Sequence, residues 1–421
     1  MATASERATS TDYGSPYRPR AVAAANWVGR QLGRRGVPPR RLAAERLLEA
    51  ARQATSLSDF GDDSFREPLD VLCRSIEDEA RLSAVGRLIT RTRLVSTLAN
   101  RLRAEEIFRR HPEISEQPVR APIVIAGLQR TGTTLLHRLL AADERIRALA
   151  SWESVCPAPL PRRVWQRRDP RIRRAELAER ALRYLAPDFF AVHPVEATAP
   201  EEDVILLDYA FRSTVPEAML RVPTYAAWLE QQDQTPAYRY MKRLLQLLSW
   251  QRPAERWVLK SPHHLEWLDT LLAVFPDAKI VQTHRDPLSS IPSTCSMIAH
   301  SRGVFSDEVD PHEVGRQWSR KIYRLVERAM TSRERARADS FVDVSYYDLV
   351  ADPAAAIEGI YARVELPPDP SLQARVAAAG QRSPRHAHGR HVYRLEDFGL
   401  TAAEIEGQLA AYRARFGVRH E

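Results

Sequence analysis

Short apolar runs, each closed by polar, glycine-marked or proline-marked residues, recur through the second part of the chain. Ile123, Val124 and Ile125 form the first, and three successive apolar residues read as a strand buried on both faces. Gly127 to Gly132 follows as a tight turn, and then Leu135, Leu136, Leu139 and Leu140 fall at helical spacing. Arg256–Lys260 (RWVLK) repeats the design: Ser261 offers a cap, Pro262 a first helical position, and Leu265–Phe275 the helix. Lys279–Thr283 (KIVQT) repeats it again, with His284 and Arg285 at the strand end, Asp286 as cap and Pro287 opening a helix. Ser340–Ser345 (SFVDVS) predicts a fourth strand, leading into a helix over Pro353–Val364. Strands alternating with helices predict an α/β fold, a P-loop-type parallel sheet flanked by helices.

Residues 21–115 read differently. Arg41–Thr55 and Glu77–Phe108 carry apolar positions three and four apart on a charged background, with a polar loop over Ser56–Leu69 between them. They predict a helical N-terminal region packed beside an α/β domain spanning 116–421, with 1–20 as a disordered leader. Within the larger unit, Ser151–Pro161 reads as a proline-rich turn carrying Glu153, and Arg162–Leu185 as a basic helix. Asp188–Asp203 reads as a loop holding His193, Glu201 and Glu202. Val204–Phe211 and Tyr225–Trp250 read as helices, the latter broken at Pro236. Pro311–Arg337 predicts a long exposed helix, Gly380–Tyr393 a basic loop, and Thr401–Phe416 a last helix.

The chemistry concentrates at the strand ends. Strand, glycine turn and helix together make an anion site, because free N–H groups and the positive end of the helix dipole converge there. A nucleotide-hydrolysing loop needs Gly-Lys-Ser/Thr after its four-residue gap. Here Thr133 stands in the lysine position and Arg130 supplies the cation from inside the loop. The alternative is a tight turn with no ligand. Lys260 sits at a strand's carboxyl end, the edge where open α/β sheets bind ligands. Arg285, with Ser289, Ser293 and Ser296 on one helix face, forms a second candidate anion site; pairing of Arg285 with a neighbouring acid is the alternative.

Composition narrows the class. The chain has 421 residues, 44% apolar, enough for a sizeable core. Its first residues, MATASERATSTDYGSPYRPR, lack the apolar segment of a secretory signal. No run approaches the length of a membrane span, so stable membrane insertion is not expected. Three scattered cysteines, Cys73, Cys156 and Cys295, suggest a reducing, cytoplasmic setting and lack metal-site spacing. The net charge of +8 is carried by arginines interleaved with acids, which points to an anionic small molecule rather than to nucleic acid. Association into a homo-oligomer stays open.

Together these segments resemble the sulfotransferases that use 3′-phosphoadenosine 5′-phosphosulfate (PAPS), in particular a bacterial branch similar to tyrosylprotein sulfotransferases. GLQRTGTTLL resembles the family's 5′-phosphosulfate loop, and THRDPLSSIPSTCSM its 3′-phosphate segment, with Arg285 eight positions before Ser293. WVLKSPHHL resembles the strand-end lysine motif, SYYDL the segment near adenine, and HVYRLEDFGL the branch's C-terminal signature. The resemblance covers roughly Pro122 to Leu400, and its five segments occur in the family's order.

It implies in-line transfer of sulfonate to a hydroxyl or amine of a small-molecule acceptor, releasing adenosine 3′,5′-bisphosphate (PAP), with no metal. Arg130, Thr131, Gly132, Thr133 and Thr134 would hold the 5′ end, Arg285 and Ser293 the 3′-phosphate, and Tyr347 would lie near adenine. Lys260 would act at the leaving oxygen, and Arg390, or Arg382, would replace an absent Arg-Lys-Gly motif. Glu153 matches the glutamate base of the tyrosylprotein branch, although its spacing differs by a couple of residues; His263 and His264 are the other candidates, with Glu201 and Glu202 behind them. The family's tryptophan is replaced by Leu135, which leaves the adenine's stacking partner unassigned. A P-loop kinase or other nucleotide-binding protein is the competing class, and magnesium-dependent ATP binding would favour it. The apolar and aromatic side chains near Phe189, Phe190, Tyr209, Phe211 and Trp228 suit either an apolar acceptor or the core.

Overall fold

Strand β1 (Ile123–Ile125) lies at the centre of the sheet because it is apolar on both faces. In the computed structural model, which describes residues 9–37, 39–160, 168–382 and 391–421, five strands run parallel. They are β1, β2 (Ile146–Ala148), β3 (Arg256–Lys260), β4 (Lys279–His284) and β5 (Phe341–Ser345), in the order β2-β3-β1-β4-β5. Side chains alternate across it. Ile123, Ile125, Val258 and Val281 meet Leu136, Leu139 and Leu140 on one side, in a core that Ile357, Ile360 and Tyr361 complete. Val124, Leu259 and Ile280 enter the larger core on the other side, shared with Leu94, Leu98 and Leu102 of the long N-terminal helix. This is the predicted α/β architecture, a parallel sheet covered by helices on both faces.

Register then places the strand ends. Ile125 is level with Lys260 on one side and Val281 on the other. Strand β3 therefore ends at the root of the glycine turn. Strand β4 runs three residues further, to His284, or roughly 10 Å of extended chain. Lys260 and Arg285 thus stand on opposite sides of the turn and at different heights.

Several expectations give way. Strand β2 carries no apolar alternation, and its three residues were hidden in a stretch with no strand signal. The polar loop over Ser56–Leu69 is a loop only to its midpoint: a helix begins at Arg66 and ends at Glu79, and a second runs Ala84–Arg110. The Glu153 segment is a short helix, Ser151–Val155, not an irregular turn. The loop after Asp188 begins inside a helix, Pro187–Val192. The long helix Pro311–Arg335 is not an exposed one, since Val314, Trp318, Ile322 and Leu325 sit in the core. Residues 9–20, read as disordered leader, are described too. Tyr13 is 4% exposed and donates to Ser296 Oγ at 2.9 Å, because its ring packs against His300 and Phe398.

One buried charge network fixes the turn after β3. Lys321 Nζ lies 2.9 Å from Glu217, 3.3 Å from Glu266 and 3.7 Å from Glu230, with almost no exposure. Glu266 closes the 3-10 turn Pro262–Glu266 that carries His263, and Arg324 holds its other oxygen at 2.5 Å. Burial alone would push the Lys321 ammonium down, but the carboxylates outweigh it and keep it charged. Lys321→Met should cost about 3–5 kcal/mol, because it strands buried carboxylates without a partner. Urea unfolding measures this, and a midpoint equal to that of the parent would refute the account.

Candidate functional site

The turn after β1 is locked from below. Gly127 has no room for a side chain: a Cβ there would stand 2.0 Å from Thr283 Oγ1. Thr131 Oγ1 lies 2.6 Å from the same Thr283 hydroxyl and 2.6 Å from the Leu128 carbonyl. Arg130 and Gly132 both take left-handed backbone angles, φ +68° and +87°. For arginine that conformation is strained, and strain of this kind persists where the surroundings over-determine it. The helix Thr133–Leu140 then starts with its free N–H groups directed at the turn.

Arg130 extends along the sheet edge, its Nε donating to Ser293 Oγ at 3.1 Å and its Nη1 to the Val192 carbonyl at 3.4 Å. Burial and the nearby Arg285 both push its guanidinium down, although Tyr393 and Tyr346 act the other way. Arg285 donates to the Arg130 carbonyl at 2.8 Å and lies 4.2 Å over the ring of Tyr346. Its outer face is engaged by a carboxylate. Glu421 accepts from Arg285 Nε at 2.6 Å and Nη2 at 3.0 Å, and from Ser289 Oγ at 2.6 Å. Burial pushes the Glu421 carboxyl up, but these donors outweigh it and hold it below its ordinary value. A planar anion held by a guanidinium fork and a hydroxyl is the binding mode a phosphate would use. The alternative expected for Arg285, pairing with an acid, is what the structure holds there.

Ser293 is shared between Arg130 and His391, whose Nδ1 is 3.4 Å from its hydroxyl and whose Nε2 is 2.8 Å from Ser296. Burial, reinforced by Arg130 and His300, pushes His391 down to about 3, so it is neutral near pH 7.

A cavity of about 500 Å³ opens beside the turn. Arg130, Thr133, Thr134, Arg285 and Ser261 gather on its wall together with Glu201 and Glu202. Leu135, Phe189, Ile205, Met219, Met297 and Phe305 supply apolar wall. Lys260 stands just behind this wall, buried, with its Nζ 2.6 Å from Glu202 Oε1. His263 also borders the cavity and is buried; its Nδ1 is 3.2 Å from Thr214 Oγ1, while Nε2 has no partner among the described residues. Burial, with His264 and Lys321 adding to it, holds its pKa far down.

Other expected residues fall elsewhere. Ser151 and Val155 border the cavity, but Glu153 between them turns away and is 2% exposed. It accepts from Arg147 at 2.8 Å, from the Ala150 N–H at 3.1 Å and from Arg252 at 3.4 Å. The cause is strand β2, which buries Arg147 over the Trp257 ring and requires a counter-charge. Glu153 is therefore the buried partner of Arg147 and does not line the cavity. His264 is fully enclosed between Tyr238 and Asp203. Tyr347 accepts from the Asp286 N–H at 3.3 Å, and it is Tyr346 that meets Gly132 and Arg285. Arg390 lies outside the described residues. Sequence reasoning missed Glu421, which carried no signal, and His391, whose signal was its place in HVYRLEDFGL.

Known proteins share this fold. The family model described as "Sulfotransferase family" matches residues 122–370. The omega-hydroxy-beta-dihydromenaquinone-9 sulfotransferase Stf3 of Mycobacterium bovis and of Mycobacterium tuberculosis is 28% identical over 262 residues. That match covers 58% of this chain and 63% of the relative's length. Among solved structures, the sulfotransferase STF1 of Mycobacterium tuberculosis superposes with a TM-score of 0.78 at 33% identity, over 88% of this chain and 99% of that one. STF9 of Mycobacterium avium gives 0.81 at 28% identity, over 90% and 98%. With its sheet, its glycine turn and its strand-end cations all within the matched span, the chain belongs to the sulfotransferase family.

Proposed function

We propose that this chain moves the sulfonate group of PAPS to the hydroxyl of an apolar small molecule and releases PAP. The observation that carries the reading is the pair of separate anion seats on one sheet edge. The first is the turn Gly127–Thr134 with Arg130, and the second is Arg285 with Ser289, where the Glu421 carboxylate already stands in for a phosphate. A ligand with one phosphate at each end of an adenosine would give each seat an anion, whereas a kinase loop would need lysine at Thr133. The buried free cysteines suit a cytoplasmic enzyme.

In this reading the backbone N–H groups of Thr131–Thr134 and the Arg130 guanidinium hold the 5′-phosphosulfate. Arg285, Ser289 and Ser293 take the 3′-phosphate, and Tyr346 rather than Tyr347 offers a ring face close to the nucleotide. Sulfur accepts a bond from the acceptor oxygen while its bond to the bridging oxygen breaks. The electron pair leaves on the 5′-phosphate of PAP, where Lys260 and Arg130 stabilise it. The acceptor's proton goes to Glu202. That carboxylate borders the cavity and is released from Lys260 as the lysine turns to the donor. His263 is a poorer base, because its burial makes the imidazolium costly. The apolar wall suits a hydrocarbon-rich alcohol, in keeping with the hydroxylated menaquinone named for the Stf3 relatives.

Titration calorimetry with PAP tests the donor site directly. The parent chain should bind it, Arg285→Ala should weaken binding about 10–100-fold, and Glu421→Gln should tighten it by freeing the seat. A parent that takes up no PAP removes the whole reading.

Transfer of labelled sulfonate from PAPS to long-chain primary alcohols tests the proton acceptor. Glu202→Gln should keep PAP affinity and lose turnover by about a hundredfold or more. Glu153→Ala should instead lower the thermal midpoint, since it leaves Arg147 unpaired. The assignment fails if Glu202→Gln turns over as fast as the parent.

A further inference from the structure

The chain's excess positive charge is not spread evenly. Between Asp12 and Glu45 there is no acidic residue and there are seven arginines; Arg18 and Arg30 pair with Asp307 and Arg41 with Glu77 and Asp78, while Arg20, Arg34, Arg35 and Arg40 meet no carboxylate among the described residues. The same stretch holds an exposed apolar face. Of nine large apolar side chains exposed among the described residues, five are Tyr17, Trp27, Val28, Leu32 and Val37.

Packing explains why this face is left outward. The helix Arg20–Arg34 docks through Val22, Asn26 and Gly29, which share one side. Asn26 is buried, accepting from the Val85 N–H at 3.0 Å and donating to Asp307 at 3.3 Å. Gly29 lies so close to Ala84 that a Cβ would stand 2.6 Å from the alanine methyl. The docking side is thus polar and small. Ala24, Val28 and Leu32, four residues apart, line the side that faces away, with Trp27 at its border beside Arg20 and Arg34, whereas Arg30 turns to Asp307. This inverts the usual arrangement of a surface helix, whose apolar stripe faces the core. Leu88, also exposed, belongs to the helix that receives it.

We propose that this face docks on an anionic lipid bilayer, with Trp27, Val28 and Leu32 entering the headgroup boundary and the arginines on lipid phosphates. A helix with an apolar side, a basic border and an aromatic residue where they meet has the composition of one that lies in the interface plane. Arg20, Arg34, Arg35 and Arg40, which no carboxylate engages among the described residues, supply charge complementarity to lipid phosphates that a protein partner of mixed charge would not require. The crevice that Tyr13 to Arg18 lines also includes Leu185–Phe189 and Val304, and Phe189 and Val304 border the large cavity as well. The segment leading into the helix is therefore packed on the cavity's wall, and an apolar acceptor dissolved in the bilayer would have a short route inward. Docking itself does not rest on the sulfotransferase reading; only this route does.

Vesicle flotation of the full chain tests it, using phosphatidylcholine alone and phosphatidylcholine mixed in equal parts with phosphatidylglycerol. The parent should float with the mixed vesicles and not with the neutral ones, and added salt should release it. Arg34→Gln with Arg35→Gln should lower partitioning about tenfold. Val28→Ser with Leu32→Ser should do likewise, while the thermal midpoint and PAP affinity stay at parent values in both variants, since these side chains face solvent. Equal behaviour on the two vesicle types, or parent-like flotation of the variants, overturns the proposal. So does a parent dimer that Val28→Ser with Leu32→Ser converts to monomer, because the face would then be a subunit interface. Loss of PAP binding in the parent would remove the function proposed above and leave the flotation result intact.

Discussion

Like charges brought together at the edge of a low-dielectric core repel one another, and that cost shapes the site. Arg130, Arg285 and Lys260 converge on one turn because register puts the ends of β3 and β4 on either side of β1. Each is met by an acceptor from the chain: Glu202 for Lys260, Glu421 for Arg285, and Ser293 with the Val192 carbonyl for Arg130. The Arg130 carbonyl in turn receives Arg285, which ties the two guanidinium groups to one backbone segment. Its left-handed angle is what aims that carbonyl outward, so the strain at Arg130 and the placement of Arg285 are one feature.

The same logic operates deeper, where it serves rigidity. Lys321 among three glutamates and Arg147 with Glu153 are buried networks whose members come from distant segments. Each is costly if broken and of little net benefit against an apolar replacement. Their effect is geometric. The first holds the turn that carries His263, and the second holds edge strand β2 against the helix that follows it. Arg130, Arg285 and Glu202 border the cavity, while the charges in the networks do not. That difference separates Glu202 from Glu153, two glutamates that look alike in sequence.

What was legible in the sequence follows from range. Strands β1, β3, β4 and β5, the glycine turn and the strand-end cations are written in neighbouring residues, through apolar runs, Pro and Gly punctuation, and caps. Strand β2 was not, because three residues at a sheet edge need no alternation when a longer strand supplies the hydrogen bonds. Nor was the fate of Glu153, which depends on Arg147 of that unseen strand. Pairing of Glu421 with Arg285 spans 136 positions and has no local signature. The outward apolar face of the first helix was also invisible: its periodicity is that of any amphipathic helix, and only the contacts of Asn26 and Gly29 show which side meets the protein.

In the proposed reaction the acceptors that meet the cations would also set an order of events, because Arg285 is paired with Glu421 and Lys260 with Glu202. Glu202 Oε1 is held by Lys260 at 2.6 Å, and in the proposed reaction that oxygen becomes free to take a proton only when the lysine turns to the donor. An acceptor hydroxyl lying in the cavity before the donor would meet a carboxylate still engaged by lysine. In that reaction the 2.6 Å contact between Lys260 and Glu202 would couple proton removal to donor occupancy.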